Sequence, residues 1–148
     1  MAPQAYDWTC SVCSSTWVLQ SLGVIDPAID SYTARSEVGT RMGYPNCVNE
    51  TYGCMSTQCV KNVLEAYGIY TKSAYCTFDQ AYAIMSHTTG TINPQGMYHF
   101  MGIRGVDYSD TGTLWVANSA LGYRGVYEEV NRLQFNSLGP VELVYVVP

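Results

Sequence analysis

The sequence predicts an α+β fold, with helices first and an antiparallel β-sheet second, and three observations carry that reading. The chain has 148 residues, the length of one compact domain with one core, so residues 1–148 are read as a single unit. It is 47% hydrophobic and 13% charged, a composition that buries a core and is unlike a disordered chain. Apolar positions recur every three or four residues in the first part and alternate from residue 91 onward, which separates helices from strands.

The first element is a helix from Cys10 or Ser11 to Leu22, stopped by Gly23. Gly23 to Pro27 is a turn, Pro27 to Val38 carries a short helix, and Gly39 to Gly53, rich in Gly, Pro and Asn, is expected as loop. Ser56 is placed to cap a helix that buries Cys59, Val60, Val63, Leu64 and Tyr67 and ends at Gly68. Thr77 and Gln80 have capping-box spacing and open a fourth helix carrying Phe78, Ala81, Tyr82 and Met85. Tyr98 to Asp107 reads as a strand, Asp107 to Gly112 as its turn, and Thr113 to Asn118 as its hairpin partner. Val126 to Val130 and Val141 to Val147 supply two further strands.

Charge and hydropathy exclude several functions. A net charge of -5 with only 7 Lys plus Arg leaves no cationic stripe for phosphates, so neither nucleic acid nor an anionic membrane is expected as the main partner. No apolar run approaches the roughly 20 residues of a membrane span. The first residues show neither the basic nor the apolar region of a signal peptide, so ordinary secretion is not expected. No cofactor or metal is expected, and the molecule is read as a monomer.

Three segments together suggest chemistry. Gln4 to Cys13 offers a side-chain amide and then a thiol at a helix start. Tyr98-His99-Phe100-Met101-Gly102 offers an imidazole at a strand start, and Leu114 to Ser119 offers Asn118 at the end of the adjacent strand. A helix N-terminus and a neighbouring imidazolium lower a thiol pKa from about 8.5, making the attacking thiolate available. Cys10 would attack, His99 would shuttle the proton, Asn118 would fix the imidazole tautomer, and Gln4 with the Cys10 backbone N–H would hold the oxyanion. Cys13 competes with Cys10 as nucleophile but is a turn into the helix, where it should face the core. Asp107, Asp110 and Glu128 are alternatives to Asn118, and His87 at a helix end is the competitor of His99.

This ensemble resembles the papain-like cysteine peptidases, most closely the compact bacterial branch that contains bacteriocin leader-processing peptidases. In that branch a glutamine precedes the nucleophile by six residues, as Gln4 precedes Cys10. The family pattern His-Phe-x-x-x-x-Gly matches His99-Phe100-Met101-Gly102-Ile103-Arg104-Gly105, and Asn118-Ser119 follows an apolar run as the family's third member does. Ser11 departs from the usual glycine, and Cys13 is an additional thiol. The resemblance implies a nucleophile at a helix start and hydrolysis of peptide bonds.

For the substrate, the resemblance extends to bacteriophage endolysin catalytic domains, which implies peptidoglycan stem or cross-bridge peptides, synthesis in the host cytoplasm and action on the cell wall. The alternatives are leader-peptide processing and a catalytically silent peptide-binding module. Tyr6, Trp8, Tyr98, Trp115 and Tyr123 flank the candidate site in sequence and could wall a cleft. Cys47, Cys54, Cys59 and Cys76 lack the paired spacing of a zinc knuckle; a Cys47–Cys54 disulfide and reduced thiols both remain open. A redox pair of Cys10 and Cys13 lacks the preceding strand that such motifs require.

Overall fold

A computed structural model describes residues 10–43, 47–49, 53–54, 57–94, 99–109, 112–118, 127–131 and 139–148. It contains helices α1 (Cys10–Ser21), α2 (Ser31–Met42), α3 (Thr57–Ala66) and α4 (Phe78–Met85). Strands β1 (Val48–Asn49) and β2 (Gly53–Cys54) form a small hairpin. The main sheet contains β3 (Thr71–Cys76), β4 (Gly90–Pro94), β5 (Met101–Val106), β6 (Thr113–Ala117), β7 (Tyr127–Asn131) and β8 (Val141–Val146) in the order β3-β8-β4-β5-β6-β7. Every described pairing is antiparallel.

The sheet separates two apolar clusters. On one face α1, α2 and α3 contribute Val12, Val18, Leu19, Val38, Val60, Val63 and Leu64, joined by Phe100 and Val144 of the sheet side. On the other, Phe78, Ala81 and Met85 of α4 pack with Ile92, Met101, Ile103, Leu114, Val116 and Leu143. Covering both faces changes the expected strand pattern. The alternation expected from residue 91 gives way to continuous burial at Gly90, Thr91 and Ile92 and again at Met101, Gly102 and Ile103, because neither side of the central strands meets water.

Local chemistry explains the helix boundaries. Gly23 takes φ 73° just past α1, and Gly68 takes φ 84° past α3, a left-handed conformation that glycine adopts without a Cβ penalty. Thr77 and Gln80 form the reciprocal capping box at α4. The expected cap Ser56 lies outside the described residues.

Three expectations are corrected. The second helix begins at Ser31, because Asp30 accepts from the Thr33 N–H at 3.2 Å, while upstream Asp26 Oδ1 ties up the Ala28 N–H in a turn. It continues through Gly39 to Met42, part of the expected loop, until Gly43 closes it with φ 93°. The segment Thr71–Cys76 is a strand inserted between α3 and α4, so helices and strands are not fully segregated. Cys47 is bonded to Cys59, not to Cys54, across a Cα–Cα distance of 6.1 Å; this staples the start of the hairpin to α3.

Two glycines set how closely elements approach. A Cβ at Gly102 on β5 would lie 2.5 Å from Trp17 Cε3 of α1. At Gly90 on β4 it would meet the Val144 carbonyl oxygen of β8 and lie 2.7 Å from the Tyr145 Cα. An indole ring can shift, whereas paired backbone cannot. Gly102→Ala is therefore expected to cost about 1–3 kcal/mol, and Gly90→Ala more than that, measured as loss of unfolding free energy in urea titrations of the purified domain.

Candidate active site

Cys10 is the first residue of α1 and is 8% exposed. The first backbone N–H groups of a helix have no intrahelical acceptor and carry its positive dipole end, so a thiolate there is stabilised. No acidic residue occupies the first turn of α1 to oppose it. Cys13 is 1% exposed, within the core as its position in the turn suggests.

Small side chains fill much of the first half of α1. Ser11, Ser14 and Ser15 are fully buried, and Thr16 Oγ1 returns its proton to the Val12 carbonyl at 2.7 Å. Such residues let a helix sit close to a sheet, and a Ser or Thr hydroxyl can bond a carbonyl one turn back in the same helix. Ser14 Oγ donates likewise to the Ser11 carbonyl at 3.2 Å.

His99 and Asn118 meet at one end of the β5–β6 hairpin. Gly102 pairs with Ala117; His99 lies three residues before the first and Asn118 one residue after the second, so both leave the ladder on the same side. His99 Nε2 is 2.7 Å from Asn118 Oδ1. A carboxamide oxygen only accepts, so Nε2 carries the proton and Nδ1 is left as the basic nitrogen. Asn118 is 4% exposed and His99 is half-buried, which fixes the amide and leaves the imidazole an open side. The His99 backbone N–H donates to Asn93 Oδ1 at 3.2 Å.

The other candidates have different places. Asp107 stands at the far end of the hairpin, where its carboxylate accepts from the Ser109 N–H at 2.9 Å and its hydroxyl at 2.6 Å. It is a turn residue. His87 is exposed beyond α4, its N–H bonded to the Ile84 carbonyl. Gln4, Tyr6, Trp8, Tyr98, Asp110 and Tyr123 lie outside the described residues, as does the side chain of Glu128. Trp115 is half-buried on β6.

Cys76 is half-buried, and desolvation pushes its thiol pKa up, the opposite of activation. Among the described residues no group of three or more His, Cys, Asp or Glu is arranged to hold a metal ion, and no helix is long and apolar enough to cross a membrane. Sequence reasoning passed over Asn93 and the Cys47–Cys59 pairing. The Asn93-Pro94 dipeptide was the available sign of a special strand end.

Comparison with known proteins places this geometry in a fold. One solved structure, a double glycine motif protease from an AMS/PCAT transporter in complex with the leader peptide, superposes with a TM-score of 0.66 at 15% identity, covering 98% of this chain and 89% of that one. The peptidase domain of Streptococcus ComA, a bi-functional ABC transporter of a quorum-sensing pathway, gives 0.67 at 12% identity, covering 97% and 96%. The chain has the papain-like peptidase fold. No protein-family model and no curated protein matches the sequence.

The described pair makes a spectroscopic prediction. Nitrogen-15 NMR of the neutral His99 imidazole should show the Nε2-protonated tautomer dominant, and Asn118→Ala should convert it to a mixture of the two tautomers. An unchanged tautomer in that variant would show that the Asn118 carboxamide does not set it.

Proposed function

We propose that this chain is a cysteine peptidase that cuts an unfolded leader peptide at a double-glycine motif. The observation that carries the reading is the 2.7 Å contact between His99 Nε2 and Asn118 Oδ1 in a fold whose α1 begins on Cys10. Trp17 lies two helical turns, about 10 Å, beyond Cys10, and Gly102 lies three strand residues, also about 10 Å, beyond His99. The packing of Trp17 on Gly102 sets α1 against the strand that follows His99, which supports the reading.

In the proposed cycle the Cys10 thiol gives its proton to His99 Nδ1, and the thiolate attacks the scissile carbonyl carbon. The oxyanion is held by the Cys10 backbone N–H and the Gln4 side-chain amide. On collapse the C–N bond breaks, the imidazolium proton passes to the leaving amine, and the acyl group remains as a thioester on Sγ. Water then attacks the thioester, giving its proton to Nδ1. The carboxylic acid leaves and the proton returns to the thiol. Asn118 keeps Nε2 protonated throughout and stabilises the imidazolium by accepting its hydrogen bond.

The substrate reading is supported by a neighbour of this fold that holds a leader peptide. Both neighbours are peptidases of transporters, so the expected cell-wall substrate and endolysin origin gain no support from them. Leader processing, the alternative reading of the sequence, is the better supported one.

Hydrolysis of a synthetic unfolded double-glycine peptide should fall by at least ~1,000-fold in Cys10→Ala with an unchanged circular dichroism spectrum, and should persist in Cys13→Ala. Loss in Cys13→Ala alone would transfer the nucleophile's role. Iodoacetamide should alkylate Cys10 well below pH 8; uniformly slow labelling would favour a silent binding module. Cleavage of purified sacculi in place of the peptide would overturn the substrate assignment.

A further inference from the structure

We infer that Asn93 is a positioning residue for His99, setting the height at which the imidazole stands beside Asn118. The inference rests on the reading of His99 as the acid/base. It begins with where the β4–β5 ladder stops. Gly90, Thr91 and Ile92 pair with Ile103, Gly102 and Met101. Continued by two residues, the same register would set Pro94 opposite His99. Pro94 has no N–H to donate, so a regular ladder cannot be extended there with its usual bonds.

Where the ladder stops, a side chain takes over the contact between the two strands. The His99 N–H, two residues before the first paired residue of β5, goes to Asn93 Oδ1 at 3.2 Å. On its other edge, Asn93 remains fixed in the sheet by its pairing with Glu142 of β8, and Pro94 by its pairing with Val141. The acceptor is therefore mounted on a strand held from the side away from the site. His99 is left outside the ladder, its backbone tied to β4 through Asn93 and its ring tied to Asn118 at the end of β6.

These two bonds have separate effects. The Asn118 contact selects which nitrogen is protonated; the Asn93 contact fixes where the residue carrying that ring begins. A misplacement of about 1 Å in a reacting group can cost on the order of 100-fold in rate. Without the Asn93 acceptor, the His99 main chain is free to move along the hairpin end, and the Nε2–Asn118 bond is populated for less of the time.

Two variants test this. Asn93→Leu keeps the branched shape of the side chain and removes the acceptor, whereas Asn93→Asp keeps an acceptor at the same atom position. In Asn93→Leu the nitrogen-15 spectrum of His99 should lose the dominance of the Nε2-protonated tautomer, and kcat on the double-glycine peptide should fall by ~10–100-fold with KM within about twofold. Asn93→Asp should restore both the tautomer and most of kcat, even where the two variants have the same melting temperature. A wild-type tautomer in Asn93→Leu, or an Asn93→Asp protein as altered as Asn93→Leu, would overturn the inference. Because the tautomer is read without substrate, it decides the role of Asn93 even if the wild-type chain proves not to cut the peptide, a result that would remove only the proposed activity.

Discussion

The approach of α1 to β5 is the constraint on which the rest of the arrangement depends. A helix that begins with a candidate nucleophile is useful only if its N-terminal end arrives at the imidazole, and a bulky face would hold it away from the sheet. Here Gly102 supplies a flat strand surface for the Trp17 indole, while Ser11, Ser14 and Ser15 keep the buried faces of α1 narrow. The hydroxyls of Ser14 and Thr16 bond to carbonyls of the same helix, so close packing does not leave those two groups without partners. Ser15 Oγ, by contrast, is buried without a hydrogen-bond partner among the described residues.

The polar groups at the site come from elements that are distant in sequence and neighbours in the sheet. Asn93 is the penultimate residue of β4, His99 precedes β5 and Asn118 follows β6, and these three strands are consecutive in the sheet order. The geometry of the site is thus inherited from strand register, which burial on both faces specifies strongly. Loops need only deliver each residue to the end of its strand. The irregularity in the β5–β6 register falls between Ile103 and Gly105, on the far side of the Gly102–Ala117 pair, so it does not separate His99 from Asn118.

Much of this was legible in the sequence where local chemistry and tertiary structure agree. Cys10 as a helix start, Gly23 as its stop, the Thr77–Gln80 box and the hairpin from β5 to β6 are all written in neighbouring residues. The misreadings arise where a distant partner decides. Thr71–Cys76 mixes polar and small residues and becomes a strand by pairing with β8, some 70 residues later in the chain. The start of α2 is the exception, decided by neighbours: Pro27 looks like a helix opening, yet the Asp26 and Asp30 side chains divide the segment into a turn and a later helix. A spacing of 12 residues between Cys47 and Cys59 carries no signal by itself; only the packing of α3 brings them together. The contact between His99 and Asn118 was expected from the order of motifs, whereas the Asn93 bond depends on how a strand ends at a proline.

The sheet order also imposes a schedule on folding. β8, the last of the described strands, lies between β3 and β4, so β3 has no neighbour in the sheet until residues 141–146 are present. During synthesis on the ribosome β4, β5 and β6 emerge before β8 and can pair among themselves, while the edge of β4 stays open. That open edge is a template for another chain, and closure over such sequence distances is slow. Insertion of β8 is then the event that both caps the exposed edge and recruits β3, so the sheet is completed in one late step and a nascent chain is most prone to association just before it.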